Sequence, residues 1–403
     1  MLLTVSKRLE FSASRRLFRP DWSEAENLAA FGPESRARYG TGRNYVAWFA
    51  FTGVVNPITG MLANISQIKA RVEEILHARF DHKFLNEDHP AFARKLPTAE
   101  NIARQLFLEV APRFAEGEAR LIACNLRESP ERSGTFYADG VTEEDHWLEF
   151  SAARQTMSPH LSAEENEKIF GVASSPHGHG HRYRARFTFR REETEDAARH
   201  EALTEALGGL WMELDHKNLN HDVPGLTNRP KTTESLAQYL FERASGALPV
   251  HQVRLFERGD FFAEYGAGRK FQLGMRRVFN AAHRLHAPRL SEAENAALYG
   301  KCNNPRGHGH RYLAEATIGG EYDERSGTLY NFVEFARAME AALQPWQDRH
   351  LDLETEEFRD QPSTGENIVS ALWPKMNAQL QDRLVRLRLW ETPNNLFGLR
   401  RID

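Results

Sequence analysis

The residues best suited to chemistry lie between positions 280 and 310, where His283, His308 and His310 accompany a lone cysteine. His308 and His310 are two residues apart in a run that alternates like a strand, so both imidazoles should leave the same face. His283 lies on the preceding apolar stretch and can pair across a hairpin to supply a third nitrogen. Three protein ligands and an open fourth position are typical of catalytic zinc. We therefore predict a zinc site; the alternative is a histidine-rich surface loop.

Cys302 precedes His308 by six residues. It is near enough to reach a substrate on the metal, and a fourth protein ligand is not needed there. A thiol of ordinary pKa, about 8.5, is mostly protonated at neutral pH and needs a neighbouring base to act as a thiolate. The pattern predicts a catalytic cysteine beside the metal.

Several stretches of this region are similar to the 6-pyruvoyl tetrahydropterin synthase family, namely AAHRL, LSEAEN, YGKCNNPRGHGHRY and LWETPNN. The resemblance implies zinc held by the three histidines, Cys302 as general base, and Glu391 as the anchor of a pterin ring. Glu366 resembles the family's second ring-binding glutamate, with Thr364 assisting. Glu366 can equally be a carboxylate favoured at a helix N-terminus, with Ser363 or Thr364 as the cap.

The motif recurs at intervals of about 130 to 140 residues, which indicates tandem units. Small residues follow Phe11, Phe150 and Asn280, and each unit closes on a glutamate, Glu128, Glu257 or Glu391. We predict units at 1–130, 146–258 and 270–403. The polar, glycine-bearing stretches between them suit linkers.

Each unit reads as two strands, two helices and a further strand. In the third unit, Pro374 should kink or break the second helix. The family resemblance implies an α+β tunnelling fold, with antiparallel sheets and the helices outside. Three such units would close one twelve-stranded barrel, so a single chain would make an intramolecular pseudo-trimer.

The first two copies differ from the third at the positions of the metal ligands. Arg15, Thr41 and Arg43 stand there in the first copy, which should not bind metal. The second copy keeps His179 and His181, but Arg154 replaces the upstream histidine and Ala173 the cysteine. Two histidines beside an arginine make a poor zinc site, so a hydrogen-bonded histidine pair is favoured over a second metal.

An Asp-His pair has the complementary distribution. It occurs as Asp81-His82 in the first copy and as Asp215-His216 in the second. In the family, this pair comes from a neighbouring unit and completes a proton relay with the cysteine. An alignment without gaps places Gln347 and Asp348 at this position in the third copy. A shifted alignment would instead provide Asp348 together with His350. The sequence does not decide which of the two pairs serves the third site. We weakly prefer Asp215-His216, because the surrounding LDHKNLN is the closer match to the family.

The resemblance implies an enzyme that eliminates triphosphate from 7,8-dihydroneopterin triphosphate. The alternatives are a 6-carboxytetrahydropterin synthase, which expels acetaldehyde, and a pterin-binding scaffold without turnover. Lys301, Arg306 and Arg311 are candidate triphosphate contacts, although each suits a solvated surface. The family also stacks two barrels face to face, so we expect a homodimer.

The composition limits the other partners. A net charge of −4 and the lack of a polybasic arm argue against a nucleic-acid partner. Two cysteines in 403 residues argue against a disulfide scaffold. The start is too short and too charged for a signal peptide, and no apolar run approaches 18 residues. We expect a cytoplasmic protein with no membrane partner.

Overall fold

A computed structural model describes residues 1–115, 117, 119–191, 197–246 and 249–402. The chain folds as three consecutive units of strands and helices. The strands of the first unit are β1 Leu2–Arg15, β2 Thr41–Gly53, β3 Lys83–Phe84, β4 Ala119–Arg127 and β5 Arg132–Tyr137. Its helices are α1 Glu24–Phe31, α2 Ile65–Arg79, α3 Leu85–Asp88 and α4 Ala99–Val110.

The second and third units repeat this order. The second unit has β6 Thr142–Arg154, α5 Ala163–Phe170, β7 His179–Arg191, α6 Ala197–Leu214, β8 Lys217–Asn218, α7 Thr233–Ser245, β9 Val250–Arg258 and β10 Phe261–Gly266. The third unit has β11 Phe271–His283, α8 Glu292–Tyr299, β12 His308–Gly319, α9 Phe332–Leu343, β13 Arg349–His350, α10 Leu351–Glu354, α11 Gly365–Gln379, β14 Leu384–Thr392 and β15 Asn395–Arg400.

Twelve of these strands form one closed antiparallel barrel, as the family resemblance implied. Their order is β10-β9-β7-β6-β5-β4-β2-β1-β15-β14-β12-β11, and pairing of β10 with β11 closes the ring. Each unit contributes four consecutive strands, and the first and last strands of the chain pair with each other. The third unit therefore adjoins the first through β15 and β1, and the second through β11 and β10.

The core lies between the barrel wall and the helices. Along β12 the alternate residues Tyr312, Ala314, Ala316 and Ile318 are fully buried on one face. An aromatic pair stacks at the equivalent place in each unit. The three pairs are Phe11–Tyr45, Phe150–Tyr183 and Phe279–Tyr312, with ring centroids 5.0, 5.1 and 4.9 Å apart. The equivalent of Phe11 and Phe150 is therefore Phe279, and the choice of Asn280 was wrong by one residue.

Closure of the ring depends on a glycine. A Cβ added at Gly274 on β11 would lie 1.9 Å from the ring of Phe262 on β10. A side chain at position 274 would force the buried Phe262 ring to move.

Two sequence expectations about the elements were wrong. The stretches taken as linkers contain β5 and β10, which are barrel strands; we accordingly propose that these strands complete the first and second units. Helix α11 runs through Pro374 without a break. Within the described residues, no helix is both long and apolar enough to span a membrane.

Candidate active site

The three predicted zinc ligands come together at one end of β11 and β12. His283 is the direct cross-strand partner of His308, and His310 faces Ala281. Because successive strand residues alternate between faces, His308 and His310 leave β12 on the same side, as predicted. One ring nitrogen from each of the three histidines lies within 4.8 Å of the others. The structure thus brings together the three histidines that the sequence singled out.

The ring nitrogens in this cluster are available for a metal. His283 is fully buried, and its Nδ1 donates to the Ser363 carbonyl at 2.9 Å, which leaves Nε2 with a free lone pair. Neither His283 Nε2 nor His308 Nδ1 has a hydrogen-bond partner among the described residues. Burial, followed by the charges of the neighbouring histidines, lowers the pKa of His308 to about 4. Three converging imidazoles, two of them with a buried ring nitrogen that lacks a hydrogen-bond partner among the described residues, fit the ligand set that zinc requires.

The side chain of Ser363 links this histidine to a carboxylate. Its Oγ lies 2.8 and 2.9 Å from the two carboxylate oxygens of Asp352, and Asp352 also accepts from the Arg284 backbone N–H at 2.7 Å. Such contacts fix the orientation of a ligand ring. Sequence reasoning had named Ser363 only as a cap and had missed Asp352.

Cys302 lies on the turn between α8 and β12. A capping box of Ser291 and Glu294 begins α8, and Gly300 ends it at a positive φ of 53°. The backbone N–H of Leu285 donates to the Cys302 carbonyl at 3.0 Å, which ties the turn to the chain just after His283. Burial, and then the charge of Glu391, raise the pKa of the half-buried Cys302 thiol.

Glu391 and Glu366 border the cluster from two elements. Glu391 near the end of β14 has Oε1 3.9 Å from His283 Nε2, and its Oε2 accepts from Asn395 at 3.2 Å. Glu366 in the first turn of α11 is 2% exposed, and burial raises its pKa to about 7.

Thr364 is the N-cap of α11, as one of the sequence interpretations held. Its Oγ1 accepts from the Asn367 backbone N–H at 3.3 Å and donates to the Gly60 carbonyl at 2.6 Å. The hydroxyl is therefore engaged by the protein on both sides. The three candidate triphosphate contacts, Lys301, Arg306 and Arg311, are all exposed.

The first unit completes the wall of this site. The backbone N–H of Leu62 donates to Glu366 Oε1 at 2.9 Å, and Tyr299 donates its hydroxyl to the Thr59 carbonyl at 2.7 Å. Lys7 on β1 donates to Asn395 Oδ1 at 2.8 Å, and Asn395 in turn contacts Glu391. These contacts lie far apart in the sequence, which explains why sequence reasoning missed Lys7 and Asn395.

The Asp-His motif occupies one structural position in all three units. The side chains of Asp81, Asp215 and Gln347 accept from the backbone N–H groups of Ser12, Ser151 and Asn280, at 2.9, 2.8 and 3.2 Å. The residues that follow, His82, His216 and Asp348, all have a positive φ, at 56°, 56° and 60°. The gapless alignment is therefore correct and the shifted alignment is not, because Asp348 stands where the histidine would be.

The topology places Asp81-His82 on the side of the first unit that faces the third. β2 pairs with one edge of β1 along residues 5–15, while β15 of the third unit takes the other edge at residues 2–7. β3 follows His82 directly and pairs with β1 at Ala13. Because β2 already takes one edge of β1 at this residue, β3 must lie on the other edge, the same edge that β15 uses at residues 2–7. By the same logic β8 lies on the edge of β6 that β5 of the first unit uses. The preference for Asp215-His216 as neighbour of the third site is therefore wrong.

The first unit has an ion-pair network at the position of the metal. Arg15 is 1% exposed and donates from Nη2 to both oxygens of Glu128 at 2.9 Å, while its Nη1 lies 3.1 Å from Glu34. Arg43 also pairs with Glu34. Glu34 comes two residues after the glycine that ends α1, as Cys302 does after Gly300, so it occupies the cysteine position. Comparing the three capping boxes in the sequence would have identified this glutamate.

The second unit is intermediate between the other two. Arg154 on β6 faces His179 across the strand pair, in the register that His283 and His308 share. Arg154 pairs with Glu257, and His181 Nε2 lies 3.0 Å from the other oxygen of that carboxylate. His179, His181 and Glu257 have ligand atoms within 4.8 Å of one another.

Known proteins resemble this chain in sequence. The family model described as 6-pyruvoyl tetrahydropterin synthase matches residues 4–139, 147–267 and 272–401. The 6-pyruvoyl tetrahydrobiopterin synthase of Drosophila melanogaster is 40% identical over 131 residues, covering 32% of this chain and 78% of the relative. The human protein of the same name is 39% identical over 135 residues, covering 32% of this chain and 93% of the relative. The solved structure of Caenorhabditis elegans 6-pyruvoyl tetrahydropterin synthase is 36% identical, with a TM-score of 0.31, and covers 32% of this chain and 96% of that one. This chain belongs to the 6-pyruvoyl tetrahydropterin synthase family.

Proposed function

We propose that this protein is a zinc-dependent lyase that eliminates triphosphate from 7,8-dihydroneopterin triphosphate, at one site per chain between the third and first units. The observation that carries the proposal is the convergence of His283, His308 and His310 beside Cys302 and Glu391, with His283 Nε2 and His308 Nδ1 lacking a hydrogen-bond partner among the described residues. The names of the relatives support the reaction class.

His283, His308 and His310 would hold the zinc ion. Bound there, zinc acts as a Lewis acid that lowers the pKa of side-chain oxygens and of the adjacent C–H bonds. The Ser363 carbonyl fixes the tautomer of His283, and Asp352 holds Ser363 in place. These two residues orient the ligand without touching the substrate.

Cys302 moves the proton at Sγ. Its raised pKa means that the thiol is neutral at neutral pH, so it needs a partner that accepts and returns a proton. We assign that role to His82, because its Nδ1 lies 2.9 Å from Asp81 Oδ2, which leaves Nε2 free for exchange. The Asp81 carboxylate is itself held by the Ser12 backbone N–H, so the imidazole has a fixed support.

Glu391 and Glu366 hold the heterocycle. A carboxylate accepts two parallel hydrogen bonds from an amino group and the adjacent ring N–H, which matches the 2-amino edge of a pterin. Lys7 and Asn395 orient Glu391 from the neighbouring strands. Lys301, Arg306 and Arg311 are the candidate contacts to the triphosphate.

Product analysis tests the proposal. Protein loaded with zinc should convert 7,8-dihydroneopterin triphosphate to 6-pyruvoyltetrahydropterin and inorganic triphosphate, identified by mass. Release of acetaldehyde with 6-carboxytetrahydropterin would assign the alternative enzyme. Tight pterin binding without any product would identify a scaffold. We further propose that two barrels associate as a homodimer in the cytoplasm.

A further inference from the structure

The second unit retains most of a metal and ligand site. The rings of His179 and His181 have centroids 4.9 Å apart at 81°, and those of His308 and His310 are 4.9 Å apart at 85°. The second unit has thus kept the histidine pair in the arrangement that the proposed zinc site uses.

The carboxylates of the second unit are preserved as well. Glu234 accepts from the Leu329 backbone N–H of the third unit, as Glu366 accepts from Leu62 of the first. Burial raises the pKa of Glu234 to about 7, as it does for Glu366. Glu257 closes the second unit where Glu391 closes the third.

Apart from Ala173 at the cysteine position, the difference between the two sites lies at Arg154. This side chain replaces His283, is 3% exposed, and donates from Nη2 to Glu257 and to Thr233, the latter at 3.1 Å. Its Nε and Nη1 have no partner in the part of the chain that the structure describes. Arg154 therefore reaches the glutamate with one terminal nitrogen and leaves Nε and the other terminal nitrogen of its guanidinium without a hydrogen bond to any described residue.

We propose that Arg154 is an internal occupant that closes the second site to metal and to pterin. This inference rests on the proposed function of the third site. The guanidinium presents planar N–H groups to Glu257, as the amino edge of a pterin would to Glu391. Burial acts to raise the pKa of Glu257, but the charge of Arg154 holds it well below its usual range. The same positive charge repels a divalent cation from His179 and His181.

The first unit supplies a matched comparison. Arg15 also occupies its anchor glutamate, donating to both oxygens of Glu128. No histidine pair stands behind it, because Thr41 and Arg43 take those positions. Removal of Arg15 should therefore open no metal site, whereas removal of Arg154 should open one.

The test is the metal content of Arg154→His and Arg15→His proteins. Each protein is incubated with an excess of cobalt or zinc, and loosely held ions are removed by gel filtration. The number of metal ions per chain is then measured. We expect one metal in wild type and in Arg15→His, and two in Arg154→His, with a matching increase in the visible absorption of cobalt. Adding His181→Ala to Arg154→His should return the count to one. The single count in folded Arg154→His would overturn the inference.

Two further measurements cover failure of that variant to fold. Arg154→Gln removes the charge but keeps an amide donor for Glu257, and it should bind a second cobalt ion more weakly than Arg154→His. One metal per folded Arg154→Gln chain at saturating cobalt, counted by equilibrium dialysis, would contradict the inference, as would a wild-type protein that binds a second ion through His179 and His181. Failure of the proposed function is distinguishable, because wild type would then carry no metal at His283, His308 and His310.

Discussion

Exchange of the two histidines that follow an aspartate tests how the proton relay is assembled. His82 and His216 are closely matched: each is 83% exposed, has a φ of 56°, and contacts the aspartate before it. Because the two positions share this exposure, φ and contact, replacing either by alanine should change the free energy of unfolding by a similar amount. Any difference in turnover between the two variants therefore reports on the site that each histidine serves.

The expected outcome is asymmetric. A positioned acid–base partner contributes about 100- to 10,000-fold, so His82→Ala should lower kcat by that factor, which is about 3–5 kcal/mol of barrier. His216→Ala should stay within about twofold of wild type, because its unit faces the first site, where Glu34 stands in place of the cysteine and Arg15, Thr41 and Arg43 stand in place of the three histidines. Zinc content should be unchanged in both proteins.

The assay is the steady-state formation of product from 7,8-dihydroneopterin triphosphate, with thermal unfolding as the control for folding. Loss of turnover in His216→Ala, with turnover kept in His82→Ala, would refute the assignment of the relay across the junction of the third and first units. Equal loss in both variants would mean that neither pair acts as a specific partner of Cys302.

Three further outcomes are expected. Cys302→Ala should abolish turnover and keep its zinc, whereas His308→Ala should lose most of the metal; zinc loss in the cysteine variant would make the thiol a ligand. Burial raises the pKa of Glu366 from its ordinary value of 4.5 to about 7. Between pH 4.5 and pH 7 the native state keeps a proton that the unfolded chain has released, so the free energy of unfolding falls as the pH rises through this range. The free energy of unfolding of Glu366→Gln minus that of wild type, measured in urea, should therefore be larger at pH 8 than at pH 5. A difference that does not change with pH would contradict the raised pKa. Light scattering should give about twice the chain mass of 46.1 kDa, and a particle of three chains would refute an intramolecular barrel with a dimer interface.

The sequence was most informative where a local pattern determines the geometry. The alternation of β12 and a hairpin to β11 were enough to bring His283 opposite His308. The strands β5 and β10 were missed because their residues do not alternate between polar and apolar: five consecutive residues of β10, from Phe261 to Tyr265, are buried on both faces. Polar and glycine residues nearby then suggested linkers.

The donor of the Asp-His pair could not be found from local patterns. It depends on the direction in which three similar units follow one another around the ring, and that direction is fixed by the pairing of β1 with β15 at opposite ends of the chain. Similarity of LDHKNLN to the family favoured the second unit for a reason unrelated to this pairing. Resemblance of a motif identifies a residue's chemistry, whereas only topology identifies the site that it serves.

The order of the ring also accounts for which residues each unit has lost. The second site meets the third unit, and it lacks the cysteine at Ala173 while the third unit offers Asp348 in place of the histidine. A histidine that exchanges a proton with the thiol has no role where the cysteine is absent. The replacement of the cysteine by Ala173 and of the histidine by Asp348 therefore affect the same site. The first site has lost its thiol too, yet it faces an intact Asp215-His216 pair. Because Asp215 also accepts from the Ser151 backbone N–H beside β8, the aspartate has a structural role that remains when the chemistry is gone. Replacing Asp215 by alanine should therefore lower stability by about 1 kcal/mol with little change in turnover, whereas Asp81→Ala should affect both.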